Sequence, residues 1–103
     1  MAIDPGTERS RLLRRMILEA LRACQSGGAG LGLSVSALAR TLNRFGGDYS
    51  RGEVASACQY LVDSGCAERL PLPPAYRDDP HYRILPGGVN LLDGLVEEDP
   101  GIA

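Results

Sequence analysis

Apolar residues recur at helical spacing through Leu13, Met16, Ile17, Ala20, Leu21 and Cys24, which predicts a first helix from about Thr7 to Cys24. The other side of that helix carries Arg9, Arg11, Arg14, Arg15 and Arg22. The glycine-rich run Gln25 to Gly30 breaks the pattern, and Leu31-Gly32-Leu33 reads as a short first strand. A second helix starts at a serine cap, Ser34 or Ser36, buries Leu38, Leu42 and Phe45, and ends at Gly46-Gly47. The third helix is marked at both ends. Ser50 and Glu53 form a capping box at its start, and Gly65 supplies the left-handed residue that stops it.

Beyond the third helix the period changes. Cys66 to Leu70 reads as a strand, a proline-rich loop follows, and Tyr82 to Leu85 reads as the returning strand. Pro86 to Leu95 then predicts a short closing helix with Val89, Leu92 and, at its end, Leu95 inward, before an acidic tail that is exposed or docked on a partner. The expected core is Leu13, Met16, Ile17, Leu21, Leu38, Leu42, Val54, Cys58, Leu61, Val62, Ile84 and Val89, each on the apolar side of its element.

These elements give an α+β chain of one domain, with residues 1–6 as an N-terminal tail, 7–95 as the folded unit and 96–103 as the acidic C-terminal tail. The 44% apolar fraction of its 103 residues suffices for a modest core without a metal or disulfide. No apolar run is long enough to cross a bilayer and the start lacks the apolar stretch of a signal peptide, so the expected compartment is the cytoplasm, with no membrane partner. All permanent positive charge is arginine, a residue suited to phosphate and guanine but also enriched by GC-rich genomes. The net charge of −2 is concentrated at the end, because Asp93, Glu97, Glu98 and Asp99 outweigh it. The remaining chain is close to neutral, which permits phosphate binding without demanding it.

The span Leu33 to Leu92 resembles the winged-helix (helix-turn-helix) family of small bacterial and prophage regulators. The resemblance is carried by Ser34-Val35-Ser36-Ala37-Leu38-Ala39 in the second helix, Leu61 to Glu68 at the turn into the hairpin, and Tyr82 to Leu92 at the strand and helix-opening turn. It implies a winged helix-turn-helix of three helices, a two- or three-stranded wing and a short C-terminal helix. The implied function is DNA binding in transcription regulation, with the helix from Arg51 to Ser64 as the reader and the hairpin as the wing.

On a helical wheel with Val54 inward, Gly52, Ser56, Gln59, Tyr60 and Asp63 point outward. Gln59 suits adenine, Ser56 suits base or backbone, Arg51 at the first turn suits phosphate or a base edge, and Tyr49, Tyr60 and Ser50 complete the face. On the hairpin, Arg77 and Arg83 suit phosphate, among Arg69, His81, Tyr76 and Tyr82. Asp63, Asp78 and Asp79 oppose this, and a solvated face and a polar loop tip explain the same residues. The alternative is a non-enzymatic protein-protein interaction module on the same fold, whose partner is another protein. Two copies are expected to pair through the first helix and Val89 to Leu95, because one neutral reader helix gives little DNA affinity.

Pro73-Pro74-Ala75-Tyr76 matches the PPxY pattern that WW domains bind, and equally reads as prolines stiffening a loop. Cys24, Cys58, Cys66 and His81 include no closely spaced pair, so the expectation is buried free thiols and no metal or other cofactor. No nucleophile, phosphate-cradling loop or carboxylate pair on a recognisable frame argues for an enzyme.

Overall fold

In a computed structural model of the chain, residues 5–26, 32–44 and 46–103 are described. Four helices and a three-stranded antiparallel sheet follow in the order α1 (Pro5–Ser26), β1 (Leu33–Ser34), α2 (Val35–Arg44), α3 (Arg51–Asp63), β2 (Ala67–Arg69), β3 (His81–Ile84) and α4 (Pro86–Leu92). A single turn of 3-10 helix, Pro74–Tyr76, lies in the β2–β3 loop. The sheet order is β1-β3-β2, which places the last strand in the centre. Register is set by Leu33 opposite Tyr82 on one side of β3 and by Ala67 opposite Ile84 on the other.

Each end of α3 follows from local chemistry. The Ser50 hydroxyl accepts from the Glu53 N–H at 3.1 Å, and the Glu53 carboxylate accepts from the Ser50 N–H at 3.2 Å. At the other end Gly65 has φ +78°, its N–H donates to the Val62 carbonyl, and the Cys66 N–H donates to the Leu61 carbonyl. That pair of bonds is a Schellman closure, and it turns the chain directly into β2. The start of α2 is capped twice. The Ser34 hydroxyl accepts from the Ala37 N–H, and Asp79, from the far hairpin loop, accepts from the Ser36 N–H at 3.0 Å.

The core lies between α1, the inner faces of α2 and α3, and one face of the sheet. Leu13, Ile17, Leu21, Leu38, Leu42, Val54, Cys58, Leu61 and Ile84 are buried as expected, while Met16, Val62 and Val89 are half-buried at its margin. Leu95 does not turn inward but is exposed, because α4 ends at Leu92 and Gly94 redirects the chain. Leu18 was not expected and is fully buried, because α1 is covered on two sides, by α3 and by β3 with α4. Tyr82 belongs to the core and not to the polar hairpin surface, since β3 alternates and puts Tyr82 and Ile84 on the same inward face. Phe45 and the glycine-rich Gly27 to Leu31 lie outside the described residues.

The helix α4 sits unusually close to the α3–β2 turn. A Cβ placed on Gly88 would lie 2.4 Å from the Cys66 carbonyl oxygen, and one on Gly87 would lie 2.8 Å from that of Gly65. Only glycine permits backbone to meet backbone there. The last residues fold back instead of standing off the domain. Ile102 is buried, Arg14 donates to the Gly101 carbonyl at 2.9 Å, and the Ala103 N–H donates to the Arg11 carbonyl. No described helix is long and apolar enough to cross a membrane.

Candidate nucleic-acid interface

Burial divides α3 cleanly. Val54, Ala57, Cys58 and Leu61 face the core, while Gly52, Ser56, Gln59 and Asp63 form an exposed stripe along the opposite side. Ser56 stands free on that stripe, and the Gln59 amide donates to Asp63 at 2.8 Å. The stripe is therefore polar, uncharged over most of its length, and acidic at its C-terminal end.

Several residues expected on this surface are engaged elsewhere. The Ser50 hydroxyl closes the helix cap. Tyr49 is half-buried, its backbone bonded on both sides by the Asn43 amide and its ring covered by the Arg9 guanidinium 4.4 Å from its centre. Tyr60 is not on the outward stripe at all. One residue past Gln59, it turns toward α1 and the chain end, where Arg14 stacks 3.9 Å from its ring and its hydroxyl donates to Asp99 at 2.8 Å. That bond to Asp99, with burial second, raises the Tyr60 pKa.

The cations are sorted in the same way. Arg9 bonds Glu53 and Asp48 and so ties α1 to the turn before α3. Arg9 holds the Glu53 carboxyl below the ordinary carboxylate range, helped by the Ser50 N–H. Arg11, Arg15 and Arg22 pair with Glu8, Glu19 and Asp93. Arg83 pairs with Glu68, its direct cross-strand neighbour. Among the described residues, Arg40, Arg44, Arg69 and Arg77 enter no ion pair, and all four are exposed.

Arg51 is intermediate. Its Nη2 donates to the Asp78 carbonyl at 2.8 Å and lies 3.3 Å from Asp79, which fastens the hairpin loop to the start of α3. Arg51 also shares an open concavity with Arg40, Ser36, Ala39 and Asn43. The sequence expectation places Arg51, Arg77 and Arg83 at this end of the fold, whereas the structure adds the exposed Arg40 and Arg44. The signal was available: Ser36, Arg40 and Arg44 recur every fourth residue on the side of α2 away from Leu38 and Leu42.

Asp79 joins three elements, and its charge carries that junction. Partial burial pushes its carboxyl up, but the Ser36 N–H, the Ser36 and Ser34 hydroxyls and Arg51 outweigh this and hold it below its ordinary value of 3.8. A carboxyl depressed in the folded state stabilises the fold above its unfolded pKa, and loses that contribution as pH falls through the folded one. Stability is therefore expected to be level near neutrality and to decline below about pH 4. In Asp79→Asn, pH-dependent unfolding should be shallower over that range and the protein weaker at pH 7. An unchanged acid limb would remove Asp79 from the junction.

The described residues hold no group of three histidine, cysteine, aspartate or glutamate side chains arranged for a metal. Burial pushes the Cys58 thiol up to about 12, so it stays protonated and inert at neutral pH. The PPxY segment closes into its 3-10 turn through a bond from the Tyr76 N–H to the Pro73 carbonyl, not the extended form in which such segments are bound. Compared with known protein families, curated proteins and solved structures, the chain has no match.

Proposed function

We propose that the chain binds double-stranded DNA as a winged helix and acts as a transcriptional regulator of a bacterial or prophage system. In this reading α2, the turn and α3 form the helix-turn-helix, and the β2–β3 hairpin is the wing. The observation that carries it is the outward stripe of α3, Gly52, Ser56, Gln59 and Asp63, together with Arg40 and Arg44 of α2 and Arg69 and Arg77 of the hairpin, which are exposed and enter no ion pair among the described residues. A polar face that is uncharged from Gly52 to Gln59, with exposed arginines on the elements packed against α3, suits a helix in the major groove with arginines on the phosphates. The short β1 between α1 and α2, paired with β3, supports the same arrangement. Pairing of two copies belongs to the proposal and is supported by the exposed Leu12 on α1 and Leu95 and Val96 after α4.

Two substitutions separate positioning from readout. Arg77→Ala should weaken binding to all duplex sequences and lower the salt slope by about one. Gln59→Ala should change the preferred sequence, by about 1–3 kcal/mol of discrimination at the base it contacts. If both variants bind DNA like the parent, the surface is not a reader. Asp63 on the same stripe then favours the second reading, a protein-interaction module.

A further inference from the structure

We propose that Arg40 and Arg51 share a single DNA backbone phosphate, seated in the open concavity between α2 and the first turn of α3. The inference rests on the DNA-binding reading above. Arg40 enters the concavity from α2 and Arg51 from α3, so donors from two helices line one space. Arg40 has no ion pair among the described residues. Arg51 is anchored from the hairpin side by Nη2 alone, which leaves Nε and Nη1 without described protein partners on a side chain that is 57% exposed.

The remaining lining residues keep the seat open. Ala39 is small and forms the floor, and the Asn43 amide is fixed by its two bonds to the Tyr49 backbone. Asp79, the acid beside Arg51, uses one oxygen, Oδ1, for both the Ser36 N–H that it caps and Arg51 Nη2. A phosphodiester presents two non-bridging oxygens, one for each guanidinium, whereas among the described ion pairs Asp79 reaches Arg51 alone. The seat adjoins the start of the α3 stripe, at the edge of any groove that the stripe enters.

The shared seat makes a distinctive salt signature. Binding to a mixed-sequence duplex would be measured at several salt concentrations for the parent, Arg40→Ala, Arg51→Ala and the double variant, with circular dichroism to establish folding. Each single variant is expected to bind about tenfold more weakly with its salt slope nearly unchanged, because the other guanidinium still neutralises the phosphate. The double variant should lose about one unit of slope. Arg40→Glu, at an exposed position that contributes nothing to the core, should bind more weakly than Arg40→Ala. Loss of about one unit in each single variant and about two in the double, or variants that bind like the parent, would overturn the shared seat while leaving the DNA-binding reading in place. A parent that shows no salt-dependent DNA binding overturns that reading itself, and the seat with it.

Discussion

Leu61→Ala is expected to lower the unfolding free energy by about 2–5 kcal/mol. Leu61 is fully buried on α3, between α1 and the sheet, and its carbonyl accepts the bond from Cys66 that closes the helix. Truncation leaves a cavity where three elements meet, none of which can move inward without disturbing another. The control is Leu12→Ala, at a position 47% exposed on α1, which should change stability by less than about half a kcal/mol. Urea denaturation checks both. A loss below about half a kcal/mol for Leu61→Ala would mean that α3 is not packed as described.

Gly88→Ala is expected to be nearly as damaging for the opposite reason. Its new Cβ would lie 2.4 Å from the Cys66 carbonyl oxygen and 2.8 Å from an Ile84 side-chain carbon. The carbonyl belongs to the turn that also receives the Leu85 N–H, so it cannot yield freely. The helix α4 must lift away, at a cost of about 1–3 kcal/mol or more. Gly94→Ala is a useful comparison, because there an added Cβ meets nothing within 4 Å and the strain is only that of a positive φ of +72°. Thermal unfolding distinguishes them: a Gly88→Ala variant as stable as the parent would mean that the close approach of α4 is not needed.

What could be read from the sequence was local. Ser50, Glu53 and Gly65 act within a few residues of themselves, so the boundaries of α3 followed from their order alone. The switch of apolar period from the third helix to the hairpin likewise gave the α+β class and the two longer strands. The first strand was placed slightly early, because Leu33–Ser34 gains its regular form only by pairing with residues of β3 far along the chain. Tyr82 has polar and charged neighbours that suggest a surface position, but its alternation with Ile84 puts it on the inward face.

The site was less legible for the same reason. Arg9 reaches Glu53 across 44 residues and Arg83 reaches Glu68 across 15, so neutralised arginines could not be distinguished from free ones by sequence. The turn of the chain end over Tyr60 depends on Gly101, where a Cβ would collide with the tyrosine hydroxyl. Nothing in the local pattern announces that contact. Arg40 and Arg44 are the opposite case, since their four-residue spacing on α2 is itself a sequence signal for one exposed face.

Duplex DNA is proposed to meet the outward stripe of α3 and the exposed arginines of α2 and the hairpin. The most direct test is a binding titration of the parent chain against mixed-sequence duplex DNA across a series of salt concentrations. Measurable binding is expected at low salt, with the logarithm of affinity falling linearly as the logarithm of salt rises, by about 0.9 for each phosphate neutralised. Absence of binding at the lowest salt, or binding that salt does not change, would contradict it.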